Sequence, residues 1–125
     1  RQKQVMDKIL TNHFGGPLYL SREVFERCIA DKAKLGVVNM LDDLFQQPDE
    51  VWQLELDEPR YAGRYVKFYS TGAMFGIVDI ADPTKLQIVD WYFMAVNEGH
   101  PDAKAQAEAI DAQRTGQLNH TKLRG

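Results

Sequence analysis

The sequence predicts an α+β domain in which N-terminal helices pack on a four-stranded antiparallel meander sheet, followed by a C-terminal helix. Three observations predict it. Apolar residues recur at three- and four-residue spacing through residues 21–47; the period drops to two from Val51; and an alanine-rich segment follows Pro101. Helices grouped before strands, rather than alternating with them, indicate α+β and leave one sheet face open.

The elements follow in order. The first dozen residues, with Val5, Met6, Ile9 and Leu10, have weak helical spacing, and Gly15-Gly16-Pro17 stops them. Ser21 is an N-cap, with Glu23 in the next turn, where the helix dipole favours a negative charge. Val24, Phe25, Cys28 and Ile29 form the apolar stripe of that helix, and Gly36 ends it. Residues 37–47 read as a second helix, with Val37, Met40, Leu41, Leu44 and Phe45 on one stripe and Pro48 closing it.

Trp52, Leu54 and Leu56 then alternate with Gln53 and Glu55, giving a half-buried strand that ends at Asp57-Glu58-Pro59. Residues 61–71 form a second strand, 74–80 a third and 86–96 a fourth, with turns at Ser70-Thr71-Gly72 and Asp82-Pro83-Thr84-Lys85. Loops this short make neighbours pair antiparallel. Pro101 suits a first helical turn, and Ala103, Ala105, Ala107 and Ala109 favour a weakly packed helix. The tail after Gly116 reads as mobile. The chain is read as a single domain over 1–125, with its core at 13–96 and a peripheral part at 97–125.

Composition bounds the function. With 125 residues, 44% hydrophobic and 26% charged, the chain has the balance of one globular domain, not of a disordered segment. A single cysteine, Cys28, excludes an internal disulfide framework and a cysteine zinc cluster. No apolar run reaches the roughly 18 residues of a membrane span. The chain carries no visible signal peptide, and opening on Arg1 it reads as a fragment of something longer.

The net charge of −3 argues against a polyanionic ligand until its distribution is considered. Three windows, residues 8–22, 59–78 and 112–125, hold eight of the 15 bases and none of the 18 acids. They also hold His13 and His120. A polyanion senses the local field, so an acidic domain can still present a basic face. Whether the windows mark a site or only reflect their selection depends on whether they meet in the fold.

The middle window is the richest. On a strand Tyr65, Lys67, Tyr69 and Thr71 point one way, and Arg64, Val66, Phe68 and Ser70 the other. With Val66 and Phe68 as the core face, Tyr65, Lys67 and Tyr69 lie on the open face. A cation between two rings suits RNA, phosphate meeting the cation and an unpaired base stacking on a ring. The same pattern also describes a solvent-exposed strand using tyrosines for cross-strand packing.

His13, beside Gly15-Gly16, is placed to hold an acid–base side chain over a cleft, or is simply a solvated loop residue. His100 reads as a local polar contact, and His120, in the tail, is the weaker catalytic candidate. The histidine spacing matches no metal-ligand motif. Asp79 and Asp90, in otherwise apolar strands, either serve the open face or keep it soluble. Cys28 belongs to the core. Phosphate-loop, dinucleotide and Gly-x-Ser-x-Gly patterns are missing from the sequence.

Leu41-x-x-Leu44 leading into Gln47-Pro48-Asp49-Glu50-Val51-Trp52, followed by Gly63-Arg64-Tyr65-Val66-Lys67 and two more strands, resembles a known group. It is the phage-encoded nuclease-like domains of the barnase–EndoU–colicin–RelE fold, found as C-terminal modules of MuF-type phage head-morphogenesis proteins and in polymorphic toxins. The resemblance covers residues 13–96. It implies a metal-independent endoribonuclease toxin without a cofactor, cleaving RNA by attack of a 2′-hydroxyl on the adjacent phosphate. It also implies RNA as ligand and an immunity protein or phage structural protein as partner, with no membrane. The location would be cytoplasmic for a toxin, or the phage particle.

In that reading His13 moves protons, and Arg64 and Lys67 stabilise the phosphate. Tyr65, Tyr69, Arg60, Asp90 and Tyr92 contact the substrate. Two alternatives stay open: an inactive structural or protein-interaction module of a phage particle, and a domain that binds nucleic acid without cutting it.

Overall fold

The computed structural model describes residues 8–121. Its strands are β1 (Lys8–Thr11), β2 (Pro17–Leu20), β3 (Glu50–Glu55), β4 (Tyr61–Tyr69), β5 (Gly72–Asp79), β6 (Gln87–Ala95) and β7 (Gln117–Thr121). Its helices are α1 (Arg22–Ile29), α2 (Lys32–Leu35), α3 (Leu41–Gln46) and α4 (Ala103–Ala112), with a 3₁₀ turn over Val38–Met40 before α3. All seven strands form one sheet in the order β1-β2-β6-β5-β4-β3-β7.

The expected four-stranded antiparallel sheet is therefore corrected to a seven-stranded mixed one. Strands β3 to β6 pair antiparallel with their sequence neighbours at its centre. The β1–β2 hairpin joins through a parallel contact, Tyr19 opposite Gln87, with the Tyr19 amide donating to Leu86 O at 2.9 Å. On the far side β7 pairs antiparallel with β3. The helical spacing read at the start is overturned by β1, whose Ile9 is exposed; Val5 and Met6 lie outside the described residues. The tail expected to be mobile is β7, held by β3; Lys122 and Arg124 lie outside the described residues. The single helix expected over 37–47 is a 3₁₀ turn and a six-residue helix.

Ser21 caps α1 as its sequence implies, its hydroxyl accepting from the Val24 amide at 3.1 Å. Helices α1, α2 and α3 cover one sheet face. Phe25 of α1 packs toward Trp91, with ring centroids 6.4 Å apart, and Phe45 of α3 meets Tyr65 edge-on at 5.1 Å. Gly76 makes this approach possible: a Cβ there would stand 2.5 Å from the Phe45 ring. The other face is covered in part by α4, whose Ile110 joins Val66, Ala73 and Phe75.

With helices on both faces, β5 is buried along nearly its whole length. The assignment of faces on β4 is inverted as well. Tyr65, Lys67 and Tyr69 point toward α3, under helices rather than onto an open surface. Val66 lies beneath α4, while Phe68 is exposed at 42%.

Candidate active site

The three acid-free windows do meet, and they meet at histidines. The β1–β2 turn carries His13, β4 carries Tyr65 and β7 carries His120. The imidazole centroids of His13 and His120 are 4.6 Å apart at a tilt of 52°. Tyr65 meets His13 edge-on at 5.5 Å, and Phe14 lies against the opposite side at 4.1 Å.

Local structure fixes each piece. Asn12 is buried, and its Oδ1 accepts from the Phe14 amide at 3.0 Å and the Gly16 amide at 2.8 Å, so one side chain organises the turn. Gly15, at φ 82°, closes it. His120 is held because β7 docks on β3. Gly116, at φ 103°, turns the chain into β7 so close to Gln53 that a Cβ would collide with its carbonyl. Asn119 Nδ2 donates to Gln53 Oε1 at 2.6 Å. Arg114 clamps Glu50 at 2.7 and 2.6 Å, with Trp52 Nε1 donating to the same carboxylate at 2.9 Å. Burial alone would raise the Glu50 pKa, but these hydrogen bonds outweigh it and the net shift is downward.

His13 and Tyr65 border a pocket of about 230 Å³ with Asn12, Phe14, Gln53 and Asn119, walled by Val51, Ile80 and Leu86. No carboxylate lines it. Phe14 is 81% exposed, a large ring presented to solvent at the mouth. Burial, and then the charge of His120, lower the His13 pKa below its ordinary 6.5. Its Nδ1 is buried without a partner. Burial pushes the Tyr65 phenol up to about 12, so it is a neutral wall. The base-stacking role expected of Tyr65 is corrected accordingly, its ring being 4% exposed.

The other expected site residues disperse. Lys67 Nζ donates to Gln47 O at 2.8 Å, at the end of α3, and lies 3.7 Å from Asp43. Tyr69 packs near Phe93, its centroid 6.4 Å away, and is not an open platform. Arg60 sits over the Tyr61 ring at 5.4 Å, near Glu55 at 3.8 Å.

Arg64, Tyr92 and Asp90 come together, but on the opposite sheet face from His13. Arg64 Nη1 donates to Gln113 O at 2.5 Å, and the Tyr92 hydroxyl donates to Gln113 Oε1 at 2.9 Å. Asp90 Oδ1 accepts from Lys34 Nζ at 2.6 Å and from the Trp91 amide at 2.8 Å. Burial raises the Tyr92 pKa, with Arg64 pulling the other way.

Sequence reasoning ranked His120 low and passed over Phe14, Asn12, Gln53 and Asn119. The one signal for His120 was its place in an acid-free window. Among the described residues, no group of three or more His, Cys, Asp or Glu is arranged to hold a metal ion. No helix there is long and apolar enough to cross a membrane.

Comparison with known proteins adds one match. The family model described as phage-Barnase-EndoU-ColicinE5/D-RelE like nuclease2 matches residues 1–121. No curated protein and no solved structure matches significantly.

Proposed function

Because the chain belongs to this phage nuclease family, we propose that it cleaves RNA without a metal, with His13 and His120 as its acid–base pair. The observation that carries the reading is the 4.6 Å approach of the two imidazoles beside a pocket with no carboxylate in its lining. Two histidines can take one proton and give another near neutral pH, which transfer of a phosphate from a 5′-oxygen to a 2′-oxygen requires.

His13, biased toward its neutral form, is the base, acting through Nε2 since Nδ1 is buried. It takes the 2′-hydroxyl proton as the 2′-oxygen attacks phosphorus. The bond from phosphorus to the 5′-oxygen breaks, and His120, protonated, gives its proton to that oxygen. A 2′,3′-cyclic phosphate and a free 5′-hydroxyl result. Side-chain amides of Asn12, Gln53 and Asn119 border the place where charge builds on the phosphate. Phe14 offers an exposed ring on which an unpaired base stacks.

The separation of Lys67 and Arg64 from His13 is what an inactive interaction module predicts. The convergence of His13 and His120 favours catalysis over that alternative. A cleavage assay in EDTA decides between them. The expected result is RNA cut to 2′,3′-cyclic phosphate ends, with a 2′-deoxy substitution at the cleaved nucleotide blocking the cut. Full activity in a His13→Asn, His120→Asn double variant would overturn the assignment.

A further inference from the structure

On the sheet face opposite the histidines lies a second, larger pocket of about 530 Å³, which the cleavage step does not use. Register builds it: Arg64 of β4, Ile77 of β5 and Asp90 of β6 stand side by side in one row. Ile77 is the apolar middle of the row, Arg64 and Tyr92 flank it on the α4 side, and Asp79 and Glu58 stand toward the β3–β4 turn.

Its charges have different partners. Asp90 is already paired with Lys34. Asp79 Oδ1 accepts from the Ala81 amide at 3.0 Å, and Glu58 has no ion-pair partner among the described residues. Arg64 is only 8% exposed, yet its Nε has no hydrogen-bond partner. A buried guanidinium left short of an acceptor is costly unless a ligand or shift supplies one. Free phosphate fits poorly, because Glu58 and Asp79 face the same space. A neutral, flat ligand with acceptors on one edge and donors on the next satisfies both sides and lies on Ile77.

We propose that this pocket, resting on the RNA-cleaving reading above, binds an unpaired guanine of the same RNA strand. Guanine carries O6 and N7 as adjacent acceptors, which Arg64 reads. Its N1–H and exocyclic amino group are adjacent donors, which a free carboxylate of Glu58 or Asp79 accepts. Adenine and cytosine lack that paired donor edge, and uracil lacks the amino group. Gly63 borders the histidine pocket and Arg64, the next residue on β4, borders this one. A strand crossing the β3–β4 turn therefore reaches both.

The test measures binding apart from cleavage. A His13→Asn protein is titrated with the 5′-monophosphates of guanosine, adenosine, cytidine and uridine, followed by calorimetry and by amide shifts on β4 and β5. The guanine nucleotide is expected to bind about tenfold or more tightly than the others. Glu58→Gln combined with Asp79→Asn, at solvent-facing positions that leave the fold intact, is expected to abolish the preference. Equal binding of all four nucleotides, or a preference that survives the double variant, overturns the proposal. Guanine preference in a protein that proves unable to cut RNA leaves this site standing and removes only the cleavage reading. Cleavage with no base preference does the reverse.

Discussion

His13 and His120 come from the first hairpin and the outermost strand of the sheet, yet their rings lie 4.6 Å apart. No carboxylate lines the pocket that His13 borders, so nothing there compensates two positive rings at once. Each protonation opposes the other, and the pair is most comfortable with one proton between its two rings. That is the state in which one ring acts as base and the other as acid.

Replacing either histidine by asparagine is expected to slow RNA cleavage by about 10²- to 10⁴-fold, the range for losing one proton-transfer group. The double variant should be little worse than either single one, because the two rings act as a unit. Single-turnover rates on one RNA, with thermal melts to confirm the fold, measure this.

The pH dependence follows from His13. Its folded pKa lies below 6.5, so between that value and 6.5 the unfolded chain binds more protons than the native one. The stability from this residue is complete above pH 6.5 and is lost as pH falls toward the folded value. Urea melts from about pH 7 to about pH 5 should show a shallower loss in His13→Asn than in the parent. The acid limb of the cleavage profile should likewise fall below pH 6.5.

Lys67→Ala is expected to destabilise rather than inactivate. Its ammonium satisfies the Gln47 carbonyl at the end of α3, and removing it costs about 1–3 kcal/mol. Cleavage by the folded protein should persist. Lost cleavage at unchanged stability would return Lys67 to the active site.

Arg114→Met strands the buried Glu50 carboxylate and loosens the root of β7. With a third of Arg114 in water, the cost should be about 2–3 kcal/mol. Hydrogen exchange should rise first across β7, and cleavage should fall with it as His120 loses its place.

Legibility in the sequence tracked burial. The strands β3 to β6 and the Ser21 cap stand out because their apolar spacing answers to a core. Strands β1 and β7 left little trace: Ile9 and Leu118 are exposed at 58% and 43%, so these strands are held by backbone pairing and alternation has no core to report. The face of β4 was misread for another reason. Tyrosine buries its ring as readily as it shows it, and a sheet covered on both sides offers no polar face to set the register. His120 was missed with its strand.

The order of the strands also has a biosynthetic side. Six of the seven strands precede α4, while half of the acid–base pair lies in β7. A chain emerging from the ribosome can complete most of its sheet before residue 120 leaves the exit tunnel. Until then it is an almost finished enzyme that lacks its acid, and the RNA that surrounds its own synthesis is spared.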